Sequence, residues 1–215
     1  MQQYDLERPT DLGLLVVIGG PGGSGSSTIA NLLARKWGLH RVYAGEIMRN
    51  TDMSKDFEKF LERRVETHPE IDKNVDRFLV KMSYYPDMLI EGKFFAAIAT
   101  SMGIPTTVKI WITASLSVRV MRILKRESYA TQYPDISPKH EVFKKTRAVL
   151  MRRQTSDIKR CQALYHLDLS KPDKFNDIII DSSKLNISRT IKATIDAIKN
   201  DERLALRFKP EQLRY

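Results

Sequence analysis

The chain has little cysteine, few histidines and no long apolar run, and each shortage excludes a class of protein. A single cysteine, Cys161, leaves no partner for a disulfide within the chain, which is typical of a reducing compartment. One cysteine and four scattered histidines cannot build a Cys/His metal cluster. No stretch reaches the ~18 apolar residues that a membrane-spanning helix needs, and residues 1–11 lack the apolar region of a signal peptide. We therefore expect a cytoplasmic protein with no membrane partner.

The composition is that of a folded chain with an excess of positive charge. Its 215 residues suffice for one ordinary domain with a full hydrophobic core. Apolar residues make up 42% and charged residues 29%, a balance that is typical of globular rather than disordered chains. The formal net charge of +10 favours anionic partners, namely nucleotides, RNA, DNA or anionic lipid, without choosing among them.

Short apolar segments alternate with segments of helical periodicity along the whole chain. Strands are predicted over residues 12–20, 40–45, 87–92, 107–114 and 177–183, of which the first and the last are expected to be buried, and helices over 27–38, 46–82 with a break near His68-Pro69, 115–127, 141–165 and 188–200. This order predicts an α/β fold with a five-stranded parallel sheet and helices on both faces. Residues 128–141 contain two prolines and no period, so we expect a loop there, and the basic tail 201–215 carries no assignable pattern.

A glycine-rich stretch, GGPGGSGSST (19–28), lies between the first predicted strand and the first predicted helix. Its spacing is close to the phosphate-binding pattern G-x-x-x-x-G-K-[ST], with Gly20 and Gly25 as the fixed glycines and Ser27 at the Mg²⁺-binding hydroxyl. Ser26 stands where the pattern has lysine. Because the backbone N–H groups and the helix N-terminus bind phosphate without side-chain charge, the loop still predicts an anion site. The alternative is a structural glycine turn.

Further candidate residues follow the other predicted strands or flank the loop 128–141. Ala44-Gly45 and Glu91-Gly92 lie at carboxyl ends of strands, where ligands bind in open α/β sheets. Glu91 could bind Mg²⁺ through water or orient a substrate, or it could be a solvated carboxylate. The basic residues are Arg119, Arg122, Lys125, Arg126, Lys144, Lys145, Arg147, Arg152, Arg153, Lys159 and Arg160. Charge alone favours a hairpin folded over phosphates no more than it favours a solvated helix face or an RNA-binding surface.

Six segments, taken in order, resemble the cytidylate kinases, and within them the archaeal-type branch. They are VYAGEIMR (42–49), HPEIDKNVD (68–76), IEGK (90–93), KIWITASLSVRVMRILKRE (109–127), RQTSDIKR (153–160) and YHLDLSKPDKFNDIIIDSSKL (165–185). The resemblance covers residues 13–198, and six ordered matches are specific where one would be weak. This branch commonly has a hydroxyl in place of the loop lysine, and Ser26 is a variant of that pattern. The resemblance implies that lid cations or Lys93 supply the positive charge that the lysine would provide.

The resemblance implies a fold, an activity and a set of site residues. It implies a P-loop NTPase domain over 1–215 with three layers, a nucleoside monophosphate (NMP)-binding insertion at about 44–86 and a lid at about 126–153. The implied reaction transfers the γ-phosphoryl of ATP, bound with Mg²⁺, to CMP or dCMP. The implied ATP-binding residues are Gly20, Gly22, Gly23, Ser24, Gly25, Ser26, Ser27 and Thr28, with Ser27 as the metal ligand. The implied monophosphate-binding residues are Ala44, Gly45, Arg49, Asp72, Glu91, Gly92 and Lys93, and the implied catalytic residues are Arg122, Arg126, Arg153, Asp157 and Arg160. Lys93 stands where the family has arginine, which keeps the charge but loses the bidentate fork.

Three alternatives stay open at the level of the sequence. The first is a kinase of the same fold that accepts UMP or AMP. The second is a nucleotide-dependent RNA-binding protein, suggested by the charge of +10 and the missing lysine. The third is an inactive regulatory protein that binds nucleotide without transferring phosphate. Because the basic stretch 142–160 contains only one aromatic residue, Phe143, we expect no nucleic-acid partner. We also expect a monomer, although no feature of the sequence determines the oligomeric state.

Overall fold

The structure is a computed structural model that describes residues 8–9, 11–50, 69–126 and 137–215. Three predictions of the sequence fall wholly or partly outside this range: the helical pattern between 51 and 68 with its break at His68, most of the loop 128–141, and residues 127–136 of the expected lid. The side chain of Arg49, one of the monophosphate-binding candidates, also lies outside the described part of the chain.

A parallel five-stranded sheet forms the centre of the molecule. Its strands are β1 (Leu15–Gly19), β2 (His40–Tyr43), β3 (Met88–Glu91), β4 (Val108–Thr113) and β5 (Ile178–Asp181), in the spatial order β2-β3-β1-β4-β5. Every neighbouring pair is parallel, and the register places Ile18 of β1 between Glu91 of β3 and Ile110 of β4. The predicted α/β class and strand number are confirmed. Since all strands end at the same edge, the loops that follow them meet there.

Helices connect the strands, and a helix between β3 and β4 adds to those predicted from the sequence. Their bounds are α1 (Ser26–Trp37), α2 (Ala44–Asn50), α3 (Pro69–Met82), α4 (Phe95–Ser101), α5 (Leu116–Arg126), α6 (Glu141–Tyr165), α7 (Ile187–Asn200) and α8 (Glu202–Ala205), with 3-10 turns at Pro172–Lys174 and Pro210–Leu213. Gly38 ends α1 in the left-handed conformation, φ +67°, as its position predicts. The side chain of His140 accepts from the N–H of Val142 and so caps the start of α6.

Both faces of β1 are buried, which explains its continuous apolar sequence. Val16 and Ile18 pack into a core with α1 and α7, whereas Leu15 and Val17 pack into a second core with α3 and α4. A smaller cluster, formed by Val120, Leu124, Phe143 and Leu150, joins α5 to α6. The helical hairpin predicted from the basic segments is therefore held together by apolar packing, which leaves its cations at the cleft and the surface.

Two features differ from, or add to, what the sequence predicts. The prediction that the strand over 177–183 is buried is wrong for one of its faces. Strand β5 lies at the edge of the sheet, with Ile178 and Ile180 buried and Ile179 41% exposed. The tail 201–215 packs on α1, where the Phe208 ring lies 5.2 Å from the Trp37 ring and the Trp37 indole donates to the Gln212 carbonyl oxygen. Of the helices in the described ranges, none has the length and apolarity to cross a membrane.

Candidate active site

The glycine-rich loop connects β1 to α1 through a tight turn that requires glycine at specific positions. Gly23 and Gly25 have φ of +81° and +94°, and a Cβ on Gly20 would lie 2.3 Å from the carbonyl oxygen of Ile112. Helix α1 starts at Ser26, has no acidic residue in its first turn, and receives no side-chain cap from Gly25. The positive end of the helix dipole therefore faces the loop, an arrangement suited to phosphate groups.

A hydroxyl and a carboxylate meet at the start of α1. The Ser27 hydroxyl donates to Oε1 of Glu91, at the end of β3, and Glu91 is only 3% exposed. The second carboxylate oxygen accepts from Nε of Arg41 at 3.0 Å, and the Arg41 guanidinium lies over the Tyr43 ring at 5.1 Å. The structure thus brings the two predicted metal-side residues, Ser27 and Glu91, into contact. Hard oxygen donors of this kind, few in number beside a phosphate site, fit Mg²⁺.

Arg122 lies beneath the glycine loop and ties it to the segment after β5. Its Nη1 donates to the Ser24 carbonyl oxygen at 2.7 Å and to the Ser182 hydroxyl at 2.9 Å. Its Nη2 donates to the Ser182 carbonyl oxygen at 2.7 Å. The guanidinium therefore supports the shape of the loop through bonds to protein oxygens, at a position that also borders the cleft.

Four of the predicted residues form a chain of alternating charges on the other side of the cleft. Lys93, just after β3, pairs with Oδ2 of Asp157, whose other oxygen accepts from Nη2 of Arg160 at 2.9 Å. Nε of Arg160 lies 3.1 Å from Oδ2 of Asp72, which is 6% exposed. The Arg160 guanidinium also lies over the Phe94 ring at 5.1 Å. This charge chain connects the end of β3, α6 and α3.

Comparison with known proteins places the chain in a family. A model of the AAA domain matches residues 18–133. The cytidylate kinase of Methanocaldococcus jannaschii is 32% identical, over 87% of this chain and 98% of that protein. The cytidylate kinase of Pyrococcus abyssi is also 32% identical, over 85% and 94%. The chain belongs to the cytidylate kinase family. Shikimate kinase from Bacteroides thetaiotaomicron has the same fold, with a TM-score of 0.54 over 86% of this chain and 98% of that one at 14% identity.

The cleft of this cytidylate kinase family member runs between the glycine loop and the end of the charge chain that Lys93 and Asp157 form. It has a volume of about 1760 Å³ and is lined by the glycine loop, Glu91, Gly92 and Lys93, and by side chains of α5 and α6 that include Arg126, Arg153 and Asp157. Ala44 and Gly45 lie beside Gly92 at the same edge, and a Cβ on Gly45 would meet the Tyr43 ring at 2.5 Å. The structure therefore brings these candidates to one edge of the sheet, and Arg160 and Asp72 are joined to them through Asp157.

Sequence reasoning missed two residues that hold this family member's site together, Arg41 and Ser182, and named a third, Arg119, only among the basic residues. Arg41 neutralises Glu91, and Ser182 receives Arg122. Arg119 is 5% exposed, and its Nη2 donates to Oε1 of Gln154 at 3.0 Å. Burial lowers the pKa of the Arg119 guanidinium, and its Nε has no hydrogen-bond partner among the described residues. No motif marks these positions, because each is defined by a neighbour that is distant along the chain.

Proposed function

We propose that the protein transfers the γ-phosphoryl group of ATP to CMP or dCMP, which gives ADP and CDP or dCDP. The observation that carries this proposal is the placement of two different arrangements of polar groups on one cleft: the glycine loop on one side, and on the other Lys93 with Asp157, the end of the charge chain Lys93–Asp157–Arg160–Asp72. A phosphoryl donor and a phosphorylated acceptor need one arrangement each. Membership of the cytidylate kinase family supports the same assignment.

In this proposal the glycine loop binds the donor. Its N–H groups and the N-terminus of α1 hold the phosphates of ATP, and Ser27 with Glu91 holds Mg²⁺ directly or through water. These residues would hold the metal where its positive charge offsets the negative charge that develops on the phosphates during transfer. Ser26 supplies no charge where related loops have lysine. The cations that line the cleft from α5 and α6, Arg126 and Arg153, are the residues we assign to replace it.

The acceptor nucleotide would bind along the charge chain. Lys93 and Arg160 carry the positive charge that a monophosphate needs, and the Phe94 ring supports the Arg160 guanidinium. Ionised Asp72 and Asp157 only accept hydrogen bonds. Cytosine presents an amino donor at the position where uracil presents a carbonyl oxygen. A base that faces these carboxylates is therefore favoured when it is cytosine.

Phosphoryl transfer in such a site depends on positioning and charge rather than on covalent catalysis. The oxygen of the acceptor phosphate attacks the γ-phosphorus in line, the bond to the β-phosphate oxygen breaks, and ADP leaves. Arginines 126, 153 and 160 would share the charge on the transferring group, and Arg122 would keep the loop in shape. Exclusion of water from the closed cleft would prevent hydrolysis of ATP.

An acceptor panel tests this proposal. ADP release would be followed with ATP and Mg²⁺ and with CMP, dCMP, UMP, AMP or GMP in separate reactions. We expect kcat/KM to be highest for CMP or dCMP. A maximum with UMP or AMP would keep the reaction and overturn the acceptor assignment. ATP binding without turnover of any acceptor would overturn the enzymatic proposal itself.

A further inference from the structure

A buried carboxyl group that the proposed reaction does not use lies near Arg160 and Asp72, at one end of the charge chain. Asp76 follows Asp72 by one helical turn on α3 and is 9% exposed. Its Oδ2 accepts from the hydroxyl of Tyr165, at the end of α6, at 2.6 Å. The hydrogen bond joins two helices that are far apart in sequence, and both helices carry members of the charge chain.

Asp76 also lies within electrostatic reach of the arginine at the centre of that chain. The positive charge of Arg160 favours the ionised form of Asp76, while the charge of Asp72 opposes it. Arg160 already contacts Asp72 and Asp157. The Arg160 guanidinium therefore forms ion pairs with two carboxylates, Asp72 and Asp157, and interacts electrostatically with a third, Asp76.

We propose that Asp76 and Tyr165 are positioning residues that set where Arg160 lies, so that affinity for the acceptor nucleotide depends on the charge of Asp76. The proposal rests on the assignment of Arg160 to the acceptor site under the proposed function. When Asp76 is neutral, Arg160 is shared between Asp72 and Asp157. When Asp76 ionises, α3 presents two carboxylates to the guanidinium and draws it away from Asp157. Asp157 then pairs more strongly with Lys93, and both cations are less available to the acceptor phosphate.

The groups around Asp76 shift the pH at which this carboxyl group changes charge. Burial raises the pKa of Asp76 to about 7, and the charge of Asp72 raises it further, whereas the hydrogen bond from Tyr165 and the charge of Arg160 lower it. The other titratable groups that face it come from α6. Burial raises the pKa of the Cys161 thiol to about 12 and raises the pKa of Tyr165 as well, so both stay neutral.

The test compares the pH dependence of acceptor KM in the parent, Asp76→Asn and Tyr165→Phe proteins. In the parent we expect the KM for CMP to rise at least about 5-fold as pH increases through 7, the low end of coupling between sites. In Asp76→Asn the rise should disappear and KM should stay low. In Tyr165→Phe the midpoint should move to higher pH, because a hydrogen bond that lowers the pKa of Asp76 is lost. Titration of the substrates is the same for all three proteins and cancels in the comparison.

Tyr85→Phe is the matched control, because Tyr85 is a tyrosine just after α3 that is 49% exposed. In this control, the pH midpoint of the rise in the KM for CMP and the KM for ATP should equal those of the parent. Equal midpoints in Tyr165→Phe and the parent would overturn the proposal, even if KM itself changed, since a packing defect alone would do that. If Asp76→Asn does not fold, the pH midpoint of the KM for CMP in Tyr165→Phe alone tests the proposal.

Calorimetric titration with CMP, over the same pH range and without ATP, separates this proposal from the proposed function. A pH step in CMP affinity that Asp76→Asn abolishes, in a protein that does not phosphorylate CMP, would support the positioning role and overturn the enzymatic assignment. If all variants phosphorylate CMP and their affinities for CMP have the same pH profile, the enzymatic assignment is supported and the positioning role is overturned. Absence of any CMP binding by the parent would overturn both.

Discussion

Arg122 donates a hydrogen bond from Nη1 to the carbonyl oxygen of Ser24 at 2.7 Å, which fixes a cation beneath the glycine loop. The same guanidinium holds the hydroxyl and the carbonyl oxygen of Ser182. Two loops that follow different strands, β1 and β5, are thereby joined through one side chain. The loop that is proposed to bind ATP thus depends on α5 for its shape as well as on its own glycines.

Replacing Arg122 with alanine should weaken both stability and donor binding. Ser24 and Ser182 would lose a charged donor, and such hydrogen bonds contribute about 1.5–3 kcal/mol each. We expect the free energy of unfolding to fall by about 2–4 kcal/mol and the KM for ATP to rise. Denaturant unfolding and steady-state kinetics measure both quantities. Lys125→Ala, an exposed residue of the same helix, is the control and should change neither. A large loss of kcat with unchanged stability and KM would instead show that Arg122 acts on the transferring phosphoryl group.

Gly23 should not tolerate a side chain. Its φ is +81°, and a Cβ would lie 2.7 Å from the carbonyl oxygen of Arg119. Gly23→Ala should therefore displace the loop and reduce ATP affinity at least about 10-fold, the equivalent of roughly 1.4 kcal/mol. Gly22→Ala is the matched control, because its nearest neighbour would be a Leu150 methyl at 3.5 Å, an ordinary contact. Equal ATP affinities of the two variants, measured by calorimetry, would contradict this account of the loop.

The two neighbouring serines of the loop should differ sharply. Ser27 contacts Glu91 and is assigned to the metal, whereas the Ser26 side chain has no assigned contact in the reaction. Ser27→Ala should reduce kcat by about 100-fold or more, as removal of one stabilising group does in other active sites, and should weaken the dependence of rate on Mg²⁺ concentration. Ser26→Ala should keep activity within about 3-fold of the parent. Similar losses for both variants in a Mg²⁺ titration would show that Ser26 has a role that we have not assigned.

The sequence predicts a structural feature well when neighbouring residues along the chain determine it, and poorly when residues distant along the chain do. The bounds of α6 from Glu141 to Tyr165 and the stop of α1 at Gly38 are local properties of periodicity and φ, and both agree with the structure. The partial exposure of β5 is not a local property, because it follows from the position of β5 at the edge of the sheet, which only the strand order sets. Likewise, the sequence marks Glu91 as a candidate, but only the register of β2 against β3 brings Arg41 to it.

The burial of Asp76 should be visible in the pH dependence of stability. The pKa of this carboxyl is raised from 3.8 to about 7 in the folded protein, so between about pH 4 and 7 the folded state holds a proton that the unfolded state has released. The contribution of Asp76 to the free energy of unfolding therefore falls as pH rises through that window and stays constant above it. Asp76→Asn removes this term. Its stability relative to the parent should improve by on the order of 3 kcal/mol from pH 5 to pH 8.

Denaturant unfolding of both proteins at pH 5 and pH 8 checks this prediction. The comparison needs no substrate, and other titrating groups contribute equally to both proteins. A difference between variant and parent that stays constant with pH would mean that Asp76 is ionised throughout, and the proposed coupling to Arg160 would lose its basis.

The central claim is tested most directly by following the phosphate itself. ATP labelled in its γ-phosphate would be incubated with the protein, Mg²⁺ and CMP, and the products would be separated by chromatography. The account predicts that label appears in CDP, with little free phosphate, and that Ser27→Ala slows this transfer without changing its product. Label that is recovered only as inorganic phosphate, or that stays in ATP, would contradict it.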